Sequence, residues 1–159
     1  MDADPLALER QVCFALVTAS RSVIRLYRPV LEPLGLTHPQ YLVMLALWER
    51  SPRSLRDIAD ALLLEPPTLT PLLKRLEATG LVERRRNPAD ERELGVELTE
   101  AGRALRARAE AVPGLVAERL GLPVAALEEA RRALDVLVVA AESAMPRRSQ
   151  AGARVGAVR

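Results

Sequence analysis

Between Ser54 and Arg92 the chain alternates helix-forming and helix-breaking residues so closely that few folds can absorb it. Ser54-Leu55-Arg56-Asp57 carries the serine and acidic residue of a helix N-cap, and Ile58, Ala59 and Leu62 follow at helical spacing. Leu63-Leu64-Glu65-Pro66-Pro67 ends that helix, because proline has no amide hydrogen and disfavours helical geometry in the residue before it. The spacing then predicts a second helix from about Thr68 to Thr79, with Leu69, Leu72, Leu73 and Leu76 inward and Thr68, Thr70, Lys74 and Arg75 outward. Gly80 stops it. Leu81–Arg86 and Leu94–Leu98 read as two short strands around the turn Asn87-Pro88-Ala89-Asp90-Glu91-Arg92. A helix-turn-helix that runs into an arginine-bearing wing is suited to duplex DNA. Hydroxyls of Thr68 and Thr70 suit base edges or phosphates, and Lys74 and Arg75 suit phosphate or guanine. Alternation along the first strand turns two of its three arginines, taken as Arg84 and Arg86, toward the DNA backbone. A solvated strand edge is the plainer reading of the same residues.

Helices flank this segment on both sides. One runs from Leu6 to about Leu31, and a second opens at Thr37-His38-Pro39-Gln40 with Thr37 as its cap. A third opens at Thr99-Glu100-Ala101-Gly102, is kinked or divided at Pro113-Gly114 and resumes to Leu120. The last runs from near Pro123 to about Ala144. The first and last are apolar on more than one face, which asks for cover on two sides that a small winged domain cannot supply from its own chain. A homodimer through these helices answers that need and places two recognition helices on a pseudo-palindromic operator in double-stranded DNA. The predicted fold class is therefore mainly α with a small β-hairpin wing. Its parts are an N-terminal dimerisation helix in 1–36, a winged helix-turn-helix in 37–99, C-terminal dimerisation helices in 100–145 and a disordered basic tail in 146–159.

Charge sets a limit on the DNA footprint. The net charge is +2, and the last fourteen residues hold four arginines and no acid, so subtracting those four leaves −2 for Met1 to Met145. The basic surface must then be local. One cysteine and one histidine exclude an internal disulfide and any multi-cysteine or multi-histidine metal site. No Gly-rich phosphate loop, nucleophile elbow or paired-histidine helix is present, so the pattern calls for no enzyme chemistry, no cofactor and no metal. Without a long apolar run or a basic-then-apolar leader, the expectation is a cytoplasmic protein that engages no membrane.

Several segments together resemble the MarR-type repressors, and within them the OhrR branch that senses organic hydroperoxides. They are Gln11-Val12-Cys13-Phe14-Ala15-Leu16, Tyr27-Arg28-Pro29, Pro39-Gln40-Tyr41-Leu42-Val43-Met44-Leu45, the run from Thr68 to Glu77, and Asp90-Glu91-Arg92. The similarity covers roughly Leu8 to Leu137 and is of the one-cysteine type. It implies a dimer that represses a peroxidase gene until an organic hydroperoxide oxidises Cys13. It implies that Tyr27 of the partner chain helps to hold the thiolate, that Arg92 enters the minor groove and that Asp90 orients it. His38 stands where the family has a second cysteine-contacting tyrosine, and Val17 where it has a further one. His38 is thus either a hydrogen-bond donor or cation beside the thiol, or an exposed imidazole at a helix start. Cys13 and Tyr27 are fourteen residues apart on one helix, roughly 21 Å at about 1.5 Å per residue, so they meet only across a dimer. Oxidised Cys13 would stop at sulfenic acid, pair with a low-molecular-weight thiol, over-oxidise, or bridge to its twin. The resemblance departs at Pro66-Pro67 and Glu93, where small polar residues and non-acidic residues are usual, which points to a different operator. The competing reading keeps Cys13 as a small buried residue and has a small aromatic or lipophilic ligand induce release. Further off stand a one-cysteine thiol peroxidase, which leaves the winged core unexplained, and an interaction module that has lost DNA binding.

Overall fold

A computed structural model describes the backbone of residues 4–87 and 90–145, with the side chains of the same residues except 86–94. The chain forms two units, 1–120 and 121–159. In the first, a single 3-10 turn at Leu8–Arg10 precedes α1 (Val12–Leu31), followed by α2 (His38–Glu49), β1 (Arg53–Ser54), α3 (Leu55–Ala61), α4 (Pro66–Ala78), β2 (Val82–Asn87), β3 (Asp90–Leu98), α5 (Glu100–Ala109) and α6 (Val112–Leu120). The second holds α7 (Val124–Ala144), whose Leu134 and Val136–Val139 are exposed. The expected tail over 146–159 lies outside the described residues. No helix among the described residues is long and apolar enough to cross a membrane.

The core of the first unit is built where the apolar periodicity places it. Leu69, Leu73 and Leu76 of α4 are fully buried, and they share a cluster with Val43, Met44 and Leu47 of α2, Ile58 of α3 and Val82 and Val96 of the sheet. Leu72 packs against this cluster from its edge, half-buried rather than inward. Thr37 and Gln40 close a capping box at the start of α2, and Ser54 Oγ accepts from the Asp57 amide at 3.0 Å to start α3. The Asp57 carboxylate lies 3.2 Å from Arg50.

Several boundaries differ from the sequence reading. α1 begins at Val12, not Leu6: Gln11 is extended, and its side-chain amide donates to the Pro5 carbonyl at 2.7 Å. α4 begins at Pro66, two residues early, because the first turn of a helix needs no intrahelical amide donors and tolerates proline there. The break between α5 and α6 falls at 110–111, and Pro113 sits in the first turn of α6 instead of at a kink. The wing strands reach Asn87 and Asp90, with a register shift after Arg86, so the predicted six-residue turn is shorter. A third strand, β1, pairs with β3 at Arg53↔Val96 and Ser54↔Gly95, giving the order β1-β3-β2.

Two helix ends use the same device with different residues. At the end of α4, the Leu81 amide donates to Leu76 O and the Gly80 amide to Glu77 O, with Gly80 left-handed at φ 73°. At the end of α3, Leu64 donates to Ala59 O and Leu63 to Asp60 O, but the left-handed residue is Leu63 at φ 53°. A Cβ in that geometry costs roughly 1–2 kcal/mol. Leu63 is 53% exposed and recovers little of this by packing. Leu63→Gly is expected to stabilise the fold by about 1 kcal/mol, read as a higher urea midpoint at unchanged slope. A lower midpoint would mean that the side chain's contacts outweigh the strain.

Candidate nucleic-acid interface and thiol site

The outer surface of α4 is set by the burial of the inner one. With Leu69, Leu73 and Leu76 turned inward, Thr68, Lys74 and Arg75 are exposed and Thr70 half-buried. The Thr70 hydroxyl donates to Pro66 O at 3.0 Å, which leaves its oxygen to accept from a ligand. Lys74 and Arg75 make no ion pair with the described residues. Pro66 and Pro67 remove two of the amides that a helix start would offer a phosphate.

The wing arginines separate by strand face. Arg84 turns toward α4, where its Nε lies 3.5 Å from Glu77 Oε2. Its side chain is 25% exposed, and Nε and one terminal nitrogen are buried without a hydrogen bond. Arg85, the residue passed over, is the exposed one, and Glu83 at 2.8 Å and Glu97 at 4.0 Å hold it. The side chains of Arg86, Asp90 and Arg92 lie outside the described residues. The base of the wing is tied to the helices. Thr99 Oγ1 donates to Gly80 O at 2.6 Å, the Thr99 amide to Leu81 O at 3.1 Å, and Trp48 Nε1 to Gly102 O at 2.9 Å.

The thiol region is assembled from α1 and the start of α2. Cys13, the second residue of α1, is exposed, which sets aside a buried packing role within the chain. Tyr27 lies in the last third of the same helix, and its ring meets His38 edge-on at 4.9 Å between centroids. Tyr41 stands 6.0 Å from Tyr27 and 6.3 Å from Trp48. Burial lowers the His38 pKa, which favours the neutral imidazole over the cation. Burial, and then the Tyr27 charge, raises the Tyr41 pKa and keeps that phenol protonated. The structure thus joins Tyr27 to His38 and leaves Cys13 of the same chain apart from both. Tyr41 escaped the sequence reading because it sat among the apolar positions of α2. Also missed is a cavity of about 800 Å³ beside His38, whose arginines repeat at helical spacing along α1. Among the described residues no cluster of His, Cys, Asp or Glu could hold a metal.

Comparison with known proteins identifies this arrangement. The MarR family model matches residues 36–94, from just before α2 through most of the wing. The organic hydroperoxide resistance transcriptional regulator of Bacillus subtilis is 38% identical over 140 residues, which is 88% of this chain and 93% of that protein. The chain belongs to the MarR family. Its relatives include the HTH-type transcriptional regulator TtmR of Methylorubrum extorquens, 44% identical over 134 residues, 84% of this chain and 67% of that one. Among solved structures, overoxidized AbfR of Staphylococcus epidermidis bound to DNA is 38% identical, with a TM-score of 0.64 over 82% of this chain and 94% of that one. The chain is a MarR-family DNA-binding regulator of the OhrR-like, one-cysteine type, with a winged-helix fold in which β2 and β3 form the wing.

Proposed function

We propose that this chain is a cytoplasmic dimeric repressor that senses organic hydroperoxides through oxidation of Cys13 and then releases a pseudo-palindromic operator. The observation that carries the reading is the division of the thiol site: Tyr27 and His38 are in contact, while Cys13 is exposed some 21 Å up the same helix. Such a site is completed by a second chain, whose Cys13 meets this chain's Tyr27–His38 pair. Val12, Phe14, Leu16 and Val17 of α1 are exposed apolar residues beside Cys13, and α7 bears more of them. These fit burial in a dimer, with 1–36 and 100–145 as dimerisation segments around the DNA-binding residues 37–99. The relatives support the redox half: one regulates organic hydroperoxide resistance, and another is known in an overoxidized form on DNA.

On DNA, Thr68, Thr70, Lys74 and Arg75 meet the major groove, and Arg86 and Arg92, with Asp90 as orienter, follow the backbone and minor groove. Arg84 acts indirectly by joining the wing to α4 through Glu77. With no second cysteine, the sulfenic acid of Cys13 goes on to a mixed disulfide with a small thiol or to over-oxidation. The cavity beside His38 favours a second reading, release by a small lipophilic ligand with Cys13 inert.

The deciding experiment is a gel shift of the dimer on its own upstream DNA, before and after one equivalent of organic hydroperoxide, beside Cys13→Ser. Oxidation is expected to lower wild-type affinity by at least about tenfold, or roughly 1.4 kcal/mol, while Cys13→Ser stays bound. Binding that ignores the peroxide in both proteins would transfer the role to the ligand cavity.

A further inference from the structure

A helix start is ordinarily a good seat for a phosphate, because its first amides lack partners within the helix. The start of α4 is not. Pro66 and Pro67 have no amide hydrogen, and the Thr68 and Leu69 amides both donate to Glu65 O, at 2.9 and 3.3 Å. What these first residues present instead is apolar. Pro66 and Pro67 are exposed, and so is Pro71 one turn further on. Pro67 and Pro71 are four residues apart and stand one above the other. They lie on the side of α4 opposite Leu69, Leu73 and Leu76, which are fully buried. Thr68, Lys74 and Arg75 are exposed at the flanks of this line, and the Thr70 hydroxyl turns back to donate to Pro66 O at 3.0 Å. The middle of the outward face thus carries no hydrogen-bond donor at Pro67 or Pro71.

Base edges in the major groove present hydrogen-bond donors and acceptors and one apolar group, the C5 methyl of thymine. A surface without donors matches that group. The first residues of a helix lying in the major groove are the ones that reach base edges. We propose that the first turn of α4 recognises the operator by packing Pro66 and Pro67 on thymine methyl groups, with Pro71 extending the same surface. The proposal rests on the reading that α4 enters the major groove. Lys74 and Arg75, at the flanks and further along, reach phosphate or guanine and set the position of the helix. The prolines then choose the base without a hydrogen bond. Cytosine in the place of thymine would bring an amino donor against a proline ring and leave it unpaired, at a cost that the methyl group does not carry. A protein partner would also fit an apolar line, but the flanking cations and the family of the chain favour base edges.

The test needs no knowledge of the regulated gene. A duplex selected by the reduced, full-length protein from a random-sequence pool is made twice, once with thymidine and once with deoxyuridine, which lacks only the methyl group. Wild-type binding is expected to weaken about fourfold for each methyl left in water, so roughly fifteenfold for one methyl in each of two half-sites. In Pro66→Ser/Pro67→Ser the ratio of the two affinities is expected to fall to about one. Any change that uracil makes to the duplex itself cancels, since both proteins meet the same two duplexes. The serines also return two amides, and Pro66→Ala/Pro67→Ala separates the two causes. It returns the amides, keeps an apolar surface and favours the helix, and is expected to discriminate better than the serine variant. A wild-type ratio of one, a ratio that the serine variant keeps, or an alanine variant no better than the serine one overturns the proposal. Lys74→Ala/Arg75→Ala tests the reading beneath it. If affinity is unchanged there, α4 lies outside the groove and its apolar line is left to a protein partner. If binding weakens while the wild-type ratio is one, α4 is in the groove and reads it without the prolines.

Discussion

Gly102→Ala is expected to cost about 3 kcal/mol of unfolding free energy, a fall in Tm of roughly 6–12 °C for a chain of this size. Helix propensity argues the other way, since alanine is better than glycine inside a helix by about 1 kcal/mol. Space decides it. A Cβ on Gly102 would stand 2.1 Å from the Leu81 carbonyl oxygen, 3.1 Å from its carbon and 3.2 Å from Leu98 Cδ2. The first neighbour is backbone and cannot turn aside as a side-chain tip could. It is also fixed, because Leu81 O accepts from the Thr99 amide while the Leu81 amide closes the end of α4 on Leu76 O. Moving α5 away would stretch the bond from Trp48 Nε1 to Gly102 O. Gly114 in α6 is the internal control, for its Cβ would meet nothing within 4 Å. Gly114→Ala is expected to gain up to about 1 kcal/mol. Thermal unfolding of both at one protein concentration checks the pair, because dimer stability depends on concentration. Equal and positive shifts would show that α5 is free to move off the wing.

Features that rest on neighbours in sequence were legible, and those that rest on distant partners were not. The caps at Thr37 and Ser54, the glycine end of α4 and the inward leucines of α4 follow from signals within one or two turns. Strand β1 was invisible, because two residues, Arg53 and Ser54, show no alternation and exist as a strand only by pairing with β3 more than forty positions away. Gly102 carried no local mark of its role, which arises where α5 crosses Leu81. The end of α3 gave no glycine to read, since Leu63 takes the left-handed position itself.

The same division runs through the candidate site. Spacing alone separated Cys13 from Tyr27, but the contact of Tyr27 with His38 depends on how α2 packs back on α1. The lowering of the His38 pKa depends on burial that the sequence does not express. For the wing, alternation separated Arg84 from Arg85 without saying which face met α4. That depended on Glu77.

Salt dependence of operator binding is expected to sort these cations by role. Each phosphate that a cation neutralises adds about 0.9 to the slope of log affinity against log salt, and a dimer presents every side chain twice. Lys74→Ala should therefore flatten the slope by about two, and Lys74→Ala/Arg75→Ala by about four where both reach phosphate. Neither residue has a competing carboxylate among the described residues, so no internal pair offsets the loss. Arg84 is different. Its charge is held near Glu77, two of its nitrogens are buried, and a chain bent toward α4 does not extend to a phosphate. Arg84→Ala is expected to leave the slope within about half a unit of wild type and to weaken binding at every salt concentration by a similar factor, through a looser wing. The measurement is operator affinity between 50 and 200 mM salt, roughly the range over which phosphate contacts show most clearly. A slope reduced by two in Arg84→Ala would mean that the guanidinium leaves Glu77 when DNA binds. Glu77→Gln would then steepen nothing and weaken nothing, because the carboxylate would no longer be holding the wing.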